Sequence, residues 1–197
     1  AIVPGALMSA FDEVFLRAVY GAGLRSVRGP APVVIDIGAN AGFFCLEVLS
    51  RHPDARVLAF EPELGNVAVL VKTVAANGFR NVEVHPYAVS RALGHVDLNL
   101  AATSGAHSIA IAPANATSVT RRVVTVGLDA FLGPDCRPDV VKMDIEGAEV
   151  PALEGMTRLL GDPKLKTLFV ECEPPILAKL GQSVDSITSL LEPHGFA

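Results

Sequence analysis

The residues best suited to chemistry lie in one short run, VVKMDIEGAEV, at positions 140–150. An apolar stretch typical of a buried strand ends in Asp144 and Glu146, and Lys142 stands two positions before Asp144. An unpaired charge in a protein interior costs several kcal/mol, so these groups need partners or water. Because residues two apart in a strand share a face, the pattern predicts that Lys142, Asp144 and Glu146 point into one polar cleft.

A second pair of carboxylates, Glu171 and Glu173, ends a later apolar run, TLFVECEP. Buried parallel strands tolerate charge only where they end, so we expect all four carboxylates at the floor of one cleft. Like-charge repulsion should raise some of their pKa values. Glu149 differs, because it opens a predicted helix (149–160), where the helix dipole gives an acid a structural role.

Two further groups follow earlier apolar runs. The sequence DIGANAG begins at Asp36, and its glycines allow backbone N–H groups to approach a ligand at the positive end of a following helix. Glu61-Pro62 ends the next run, where a carboxylate can accept hydrogen bonds from ribose hydroxyls. The dinucleotide fingerprint G-x-G-x-x-G is incomplete, since Asn40 and Phe43 stand at its second and third glycine positions.

These groups must be positioned by a sheet. From residue 33 onward, short β-branched runs alternate with longer helical segments, which predicts an α/β fold with a doubly wound, mostly parallel sheet. In open sheets of this kind, ligands bind at the carboxyl ends of the strands, where the strand order reverses. The strands are predicted over 33–38, 56–62, 81–90, 140–145 and 167–174.

The chain is predicted to hold one main domain with two additions. Residues 1–30 are interpreted as an N-terminal helix (6–20) and a linker, and residues 31–197 as the main domain. Residues 94–126 interrupt the strand–helix rhythm and predict an inserted hairpin or flap, of which residues 101–121 are expected to be mobile over the cleft. His107 lies in this insertion and is a candidate base.

Composition narrows the class of protein. Of the 197 residues, 50% are hydrophobic and 19% charged, and the net charge is −5, which predicts a globular domain with neither nucleic acid nor membrane as its partner. No apolar stretch reaches the length of a membrane span. Three cysteines without metal-type spacing favour a reduced, cytoplasmic protein.

Four blocks together resemble the FkbM-type family of S-adenosylmethionine-dependent methyltransferases: VIDIGANAGFF, AFEP, VVKMDIEGAEVPALEGM and FVECEP. The resemblance runs from about residue 33 to 197. It implies a class I methyltransferase fold, Rossmann-like, whose sheet closes with an antiparallel pair beyond the last residue here, so we expect those strands to be missing. It also implies S-adenosyl-L-methionine as cofactor and O-methylation of a small-molecule hydroxyl on a sugar or secondary metabolite.

The resemblance assigns cofactor contacts by position. The implied residues are Asp36, Gly38, Asn40 and Gly42 at the methionine end, Glu61 followed by Pro62 at the ribose, the segment 87–90 with Ala88 by the adenine, and Asp144 at the reacting end.

Three residues are candidates for catalysis: Asp144, Glu171 and His107. A hydroxyl nucleophile must lose its proton as the methyl group arrives, and a carboxylate or an imidazole can accept it. Oxygen ligands alone would suit Mg²⁺ or Ca²⁺, but Lys142 or the charge of the cofactor can balance the carboxylates, so we predict no metal site. Two alternatives stay open, a nucleotide-dependent oxidoreductase on a similar sheet and a non-catalytic domain that keeps the pocket.

Overall fold

The computed structural model describes residues 8–101, 107–112 and 116–196. Its strands are β1 (Val33–Ile37), β2 (Arg56–Phe60), β3 (Val82–His85), β4 (Ala88–Val89), β5 (Gly94–Ala101), β6 (Ala116–Val126), β7 (Val140–Met143) and β8 (Thr167–Val170). Its α-helices are α1 (Met8–Phe11), α2 (Gly21–Ser26), α3 (Phe43–Arg51), α4 (Leu64–Ala76), α5 (Leu128–Leu132), α6 (Glu149–Glu154), α7 (Thr157–Leu160), α8 (Pro174–Lys179) and α9 (Val184–Leu191). None of the helices within these ranges combines the length and apolarity needed to cross a bilayer.

Five strands form an all-parallel sheet in the order β3-β2-β1-β7-β8. Apolar and β-branched runs such as VVIDI suit strands that are covered on both faces. The chain builds outward from β1 to β3 and then returns to the other side of β1, so the strand order reverses between β1 and β7. This confirms the predicted doubly wound α/β fold.

Alternate residues of the strands fill two separate cores. Ile35, Phe60 and Met143 belong to one core, which includes buried residues of α6, α7 and α9. Val57 and Val140 belong to the other, beneath α3 and α4. The two helix layers therefore hold the strands from both faces, and only the strand ends are free to carry polar groups.

The segment predicted as an insertion forms a second sheet of three strands in the order β4-β6-β5. The strands β5 and β6 pair antiparallel, with an irregularity after Asn99. The segment 81–90, predicted as a strand with its loop, contains β3 of the large sheet and, where the loop was expected, the short β4 of the small one. Much of the predicted flap, residues 102–106 and 113–115, lies outside the described residues.

The N-terminal region differs from the predicted long helix and linker. After α1 comes a π-helical turn, Asp12–Leu16, and Ala18 then adopts a φ of 51°, which ends the helical path. The predicted linker contains helix α2, whose Leu24 is fully buried. Glycine disfavours helices by propensity, but burial of an apolar face overrides that local preference.

A close approach between α2 and β8 explains one of these glycines. A Cβ atom at Gly23 would lie 2.3 Å from Cζ of Phe169 and 3.0 Å from Cγ2 of Thr167. Tyr20, just before α2, packs edge to face on Phe169 with ring centroids 5.2 Å apart. The N-terminal segment is therefore part of the packed domain.

Gly23→Ala should lower the free energy of unfolding by about 1–3 kcal/mol, because the added methyl group overlaps the ring of Phe169. Urea unfolding followed by circular dichroism measures this change. The matched control is Gly21→Ala in the same helix, where the nearest atom is 3.3 Å away on the flexible Arg25 side chain. Equal stability of the two variants would contradict the packing of α2 on β8.

Candidate active site

A cleft with two lobes opens at the carboxyl ends of β2, β1 and β7, where the strand order reverses. The main lobe has a volume of about 560 Å³, including open solvent, and the second lobe about 370 Å³. The two lobes share Gly38, Asn40 and Asp144, which we call the junction. The main lobe brings together seven of the predicted site residues: Gly38, Asn40, Glu61, Pro62, Ala88, His107 and Asp144.

The loop after β1 closely approaches the loop after β7. Gly38 has a φ of +77°, and a Cβ atom there would lie 1.9 Å from the carbonyl oxygen of Asp144, so only glycine fits. Asn40 has a φ of 47°, a left-handed conformation that asparagine tolerates better than most residues. Its buried Oδ1 has no hydrogen-bond partner among the described residues. The junction therefore contains one acceptor without a partner, Asn40 Oδ1, and a stretch of bare backbone at Gly38.

Gly42 serves packing rather than the cleft. It precedes α3 with a φ of +85°, and a Cβ atom there would lie 2.3 Å from Cδ1 of Leu70 on α4. It does not line either lobe. The structure thus shows a packing role for Gly42 between α3 and α4, and its contact with a cofactor stays a prediction.

Glu61, which follows β2, holds the loop after β1 by hydrogen bonds. Its carboxylate accepts hydrogen bonds from the backbone N–H of Asn40 and of Glu63, each at 2.9 Å. Burial raises the pKa of Glu61 to about 7, and these two backbone hydrogen bonds oppose the shift. Oε1 also accepts from Asn66 Nδ2 at 3.4 Å, and the second lone pair of Oε2 can accept from a ligand hydroxyl in the main lobe.

Asp36 is enclosed rather than exposed to the cleft. Its side chain is fully buried, and its Oδ2 accepts a hydrogen bond from the Cys45 thiol at 3.2 Å. Its Oδ1 lies 3.4 Å from Nζ of Lys142, which also donates to the carbonyl oxygen of Gly38 at 2.8 Å. Asp36 lines neither lobe of the cleft, and its contact with a cofactor stays a prediction.

The acidic cluster forms in the loops rather than on the strands. Because β7 ends at Met143, Asp144 lies beyond the strand and Glu146 adopts a φ of 54°. The predicted strand alternation therefore fails at Glu146. Asp144 lies at the junction with its Oδ2 3.5 Å from Lys142 Nζ, while Glu171 follows β8 and is more exposed.

Burial and like charge act together on this cluster. Partial burial is the first cause that raises the pKa of Glu146 to about 7, and repulsion from Asp144 and Glu173 comes next. Partial burial likewise raises the pKa of Glu171 to about 7, with Asp144 and Glu13 as the main repelling charges. The predicted repulsion is present, but desolvation exceeds it.

Glu149 has the structural role that was predicted for it. It is buried at the first residue of α6, and its Oε1 accepts a hydrogen bond from Gly147 N at 3.0 Å. Gly147 has a φ of +100°, so this bond stabilises the unusual turn between β7 and α6.

The second lobe is closed by the N-terminal segment. Glu13 of the π-helical turn and Tyr20 line it opposite Lys142 and Asp144. Burial and the nearby carboxylate of Asp144 raise the pKa of Glu13. A residue that the sequence placed in a separate helix thus joins the acidic cluster.

Part of the insertion docks on the main lobe through a buried serine. Ser108 Oγ donates to the carbonyl oxygen of Glu146 at 2.7 Å and accepts from Ala110 N at 3.1 Å. Beside it, His107 lines the lobe, and its Nδ1 accepts from Ala101 N at 2.9 Å. A neutral imidazole that accepts at Nδ1 carries its proton on Nε2, so in this arrangement His107 is a donor rather than a base.

No group of three or more His, Cys, Asp or Glu side chains within the described ranges is arranged to hold a metal ion. The site is thus a polar cleft that contains the junction and the Glu61 carboxylate, with Asp144, Glu146 and Glu171, here called the acidic rim, beside it.

A family model described as the methyltransferase FkbM domain matches residues 36–197. The chain belongs to this family. Methyltransferase sdnD of Sordaria araneosa is 26% identical over 156 residues, which cover 64% of this chain and 60% of that protein. Methyltransferase 1 of Beauveria bassiana is 25% identical over 147 residues, which cover 62% of this chain and 57% of that protein. The chain therefore spans less than two thirds of the length of these relatives.

Solved structures share the fold. The FkbM methyltransferase of Methylobacillus flagellatus aligns with a TM-score of 0.55 at 22% identity, over 76% of this chain and 35% of that one. A S-adenosylmethionine-dependent methyltransferase of Aquifex aeolicus aligns with a TM-score of 0.55 at 16% identity, over all of this chain and 90% of that one. The FkbM domain described here thus has the class I methyltransferase fold.

Sequence reasoning missed three contributors to the site of this FkbM domain. Lys142 was recognised as a charge but not as the partner of Asp36, although the two are direct neighbours in the β1–β7 register. Glu13 and Ser108 reach the cleft only through tertiary packing, and no local pattern marks them.

Glu61→Gln should flatten the pH dependence of stability in this FkbM domain. The pKa of Glu61 rises from an ordinary value of 4.5 in the unfolded chain to about 7 in the folded protein. Between those values the folded state holds more protons, so stability falls as pH rises. The variant should therefore lose about 2–3 kcal/mol less than the wild type between pH 4.5 and 8.

Urea unfolding at both pH values measures this difference, and the comparison of slopes cancels any loss of hydrogen bonding in the variant. The control is Glu83→Gln, since Glu83 is a surface residue paired with Arg56 at 2.8 Å. An identical decline in the wild type and Glu61→Gln would contradict a raised pKa for Glu61.

Proposed function

We propose that this FkbM domain transfers a methyl group from S-adenosylmethionine to a hydroxyl group of a small molecule. The observation that carries the proposal is the cleft at the strand reversal, where the Gly38 loop, Glu61 and Asp144 meet. The family membership adds to it, because the matched range, residues 36–197, includes all three of these features.

The cleft fits the two halves of this cofactor. In the main lobe, Glu61 can accept from the ribose hydroxyls, and Pro62, Tyr87 and Ala88 offer an apolar wall for the adenine. At the junction, the unsatisfied Oδ1 of Asn40 can accept from an ammonium group. The bound cofactor would supply an electrophilic methyl group on a sulfonium cation.

The acidic rim suits both the sulfonium cation of the methyl donor and a hydroxyl group that accepts the methyl. Asp144, Glu146 and Glu171 form a negative field next to the junction, which favours a positively charged donor. A hydroxyl acceptor must lose a proton during transfer, and the carboxylate of Asp144, at the junction of the two lobes, can take it. His107, with its proton on Nε2, can orient an acceptor oxygen by donating to it.

A nicotinamide-dependent reaction is disfavoured by the loop after β1. Pyrophosphate binding relies on glycines that let the backbone approach the phosphates, and Asn40 and Phe43 stand at two of those positions. The backbone N–H of Asn40 is already donated to Glu61. The acidic rim would also repel a pyrophosphate.

S-adenosylhomocysteine should therefore raise the melting temperature of the protein, whereas NAD should leave it unchanged. Thermal shift with the two ligands at equal concentrations makes the comparison, and adenosine serves as the control for the shared half. A shift with NAD as large as that with S-adenosylhomocysteine would rule out the proposal.

Asp144→Asn should reduce methyl transfer by a factor of about 10² or more, because the amide keeps the shape of the side chain but cannot accept the proton. Labelled S-adenosylmethionine with a panel of hydroxyl-bearing small molecules identifies an acceptor and measures the rate. The control is Asp97→Asn, which changes an exposed carboxylate on β5 and should retain the wild-type rate. Near-normal turnover in Asp144→Asn would exclude Asp144 as the base.

A further inference from the structure

Lys142 is buried at the carboxyl end of β7 with three acceptors around its ammonium group. Only 4% of the residue is exposed to solvent. Nζ lies 2.8 Å from the carbonyl oxygen of Gly38, 3.4 Å from Oδ1 of Asp36 and 3.5 Å from Oδ2 of Asp144. Only the Gly38 carbonyl accepts a hydrogen bond from Nζ, whereas the two carboxylates lie at ion-pair distance and Asp36 Oδ1 has no hydrogen-bond partner among the described residues.

The simplest role for a buried lysine is to neutralise a buried acid. Asp36 is fully buried beside it, and removal of one partner of such a pair is strongly destabilising. Neutralisation alone, however, would require only the contact with Asp36. The shortest contact is instead with an uncharged carbonyl group, that of Gly38.

The Gly38 contact lies where the two loops of the junction touch. A Cβ atom at Gly38 would lie 1.9 Å from the carbonyl oxygen of Asp144, so the backbones of the two loops are in direct contact there. The backbone N–H of Asp144 also donates to Ile37 O at 3.1 Å. The ammonium group thus fixes the peptide after β1 and the carboxylate after β7 relative to each other.

We propose that Lys142 is a positioning residue that sets the Gly38 carbonyl and the Asp144 carboxylate for recognition of the amino-acid half of the cofactor. This inference rests on the proposed function. Lys142 acts through Gly38 and Asp144, whereas Glu61, which would bind the ribose, has its own hydrogen bonds from Asn40 N and Glu63 N and no contact with Lys142 among them.

Two ligands distinguish recognition of the amino-acid half of the cofactor from recognition of its adenosine half. S-adenosylhomocysteine carries both the adenosine and the amino-acid half, whereas 5′-methylthioadenosine keeps the adenosine and the thioether but lacks the amino acid. The ratio of their dissociation constants, measured by titration calorimetry, reports how well the junction recognises the amino-acid half. The measurement requires no acceptor and no turnover.

The test variant is Asp36→Asn/Lys142→Met, which removes both buried charges together and leaves neither uncompensated. Asn at position 36 can still accept from the Cys45 thiol. If Lys142 positions the junction, the variant should weaken S-adenosylhomocysteine at least about tenfold while changing 5′-methylthioadenosine by less than about threefold.

The matched control is Lys164→Met at the opposite edge of the sheet. Lys164 Nζ also pairs with a carboxylate, Asp139 Oδ2 at 3.0 Å, and donates to a carbonyl, Arg137 O at 3.0 Å. It lines neither lobe, so both affinities should equal those of the wild type.

A second variant, Lys142→Arg, keeps a cation against Asp36 but replaces the compact ammonium group that donates to Gly38 O with a larger, planar guanidinium group. It should show the same selective loss of S-adenosylhomocysteine, and it decides the matter if the double variant does not fold. Unchanged affinities, or an equal loss for both ligands, would overturn the positioning role. If neither variant folds, Lys142 is needed for folding, and the positioning role is overturned as well. A wild type that binds neither ligand would instead refute the proposed function.

Discussion

A buried ammonium group between two strand ends holds this site together. Transfer of an isolated charge into a protein interior is costly, and Lys142 and Asp36 are both almost fully removed from water. Burial alone would lower the pKa of Lys142, but the carboxylates of Asp36 and Asp144 raise it above its ordinary value. Each charge of the pair therefore stabilises the other, and Lys142 also donates to the Gly38 carbonyl. On the β2 side of the same loop, the Glu61 carboxylate accepts a hydrogen bond from the backbone N–H of Asn40. The loop after β1 is thus tied to β7 at one end and to β2 at the other.

The large sheet could be predicted from sequence because its strands are local patterns. Short apolar runs with β-branched residues and the helices between them are visible without tertiary information. The N-terminal region could not be predicted in the same way. Helix α2 contains two glycines and forms because Leu24 is buried in the core and Gly23 allows contact with Phe169. Both causes lie far away in sequence, so propensity gave the wrong answer.

The candidate site was predicted where it depends on strand ends, and missed where it depends on loops. Glu61, Gly38 and Asp144 follow directly from the rule that parallel strands end at one edge. Glu146 departs from the predicted face because β7 ends three residues earlier and the chain turns with a positive φ. Asp36 departs for a different reason, since a residue inside a strand faces the neighbouring helix layer. The register that pairs it with Lys142 could be derived only once β1 and β7 were known to be neighbours.

The carboxylates around the cleft determine which ligand charge it favours. Lys142 is closest to Asp36, Gly38 and Asp144, and although its charge acts to lower the pKa of Glu171, burial and the neighbouring carboxylates outweigh it. Burial, reinforced by like-charge repulsion, raises the pKa of Glu146 and of Glu171 to about 7. Near neutral pH these groups are therefore only partly ionised. A cation at the junction favours their ionised forms, and ionised carboxylates in turn attract a cation, so proton release and cation binding are linked. A sulfonium donor would gain from this linkage, whereas the thioether left after methyl transfer has lost that charge. Under the proposed function, the acidic rim therefore distinguishes the methyl donor from its product by charge.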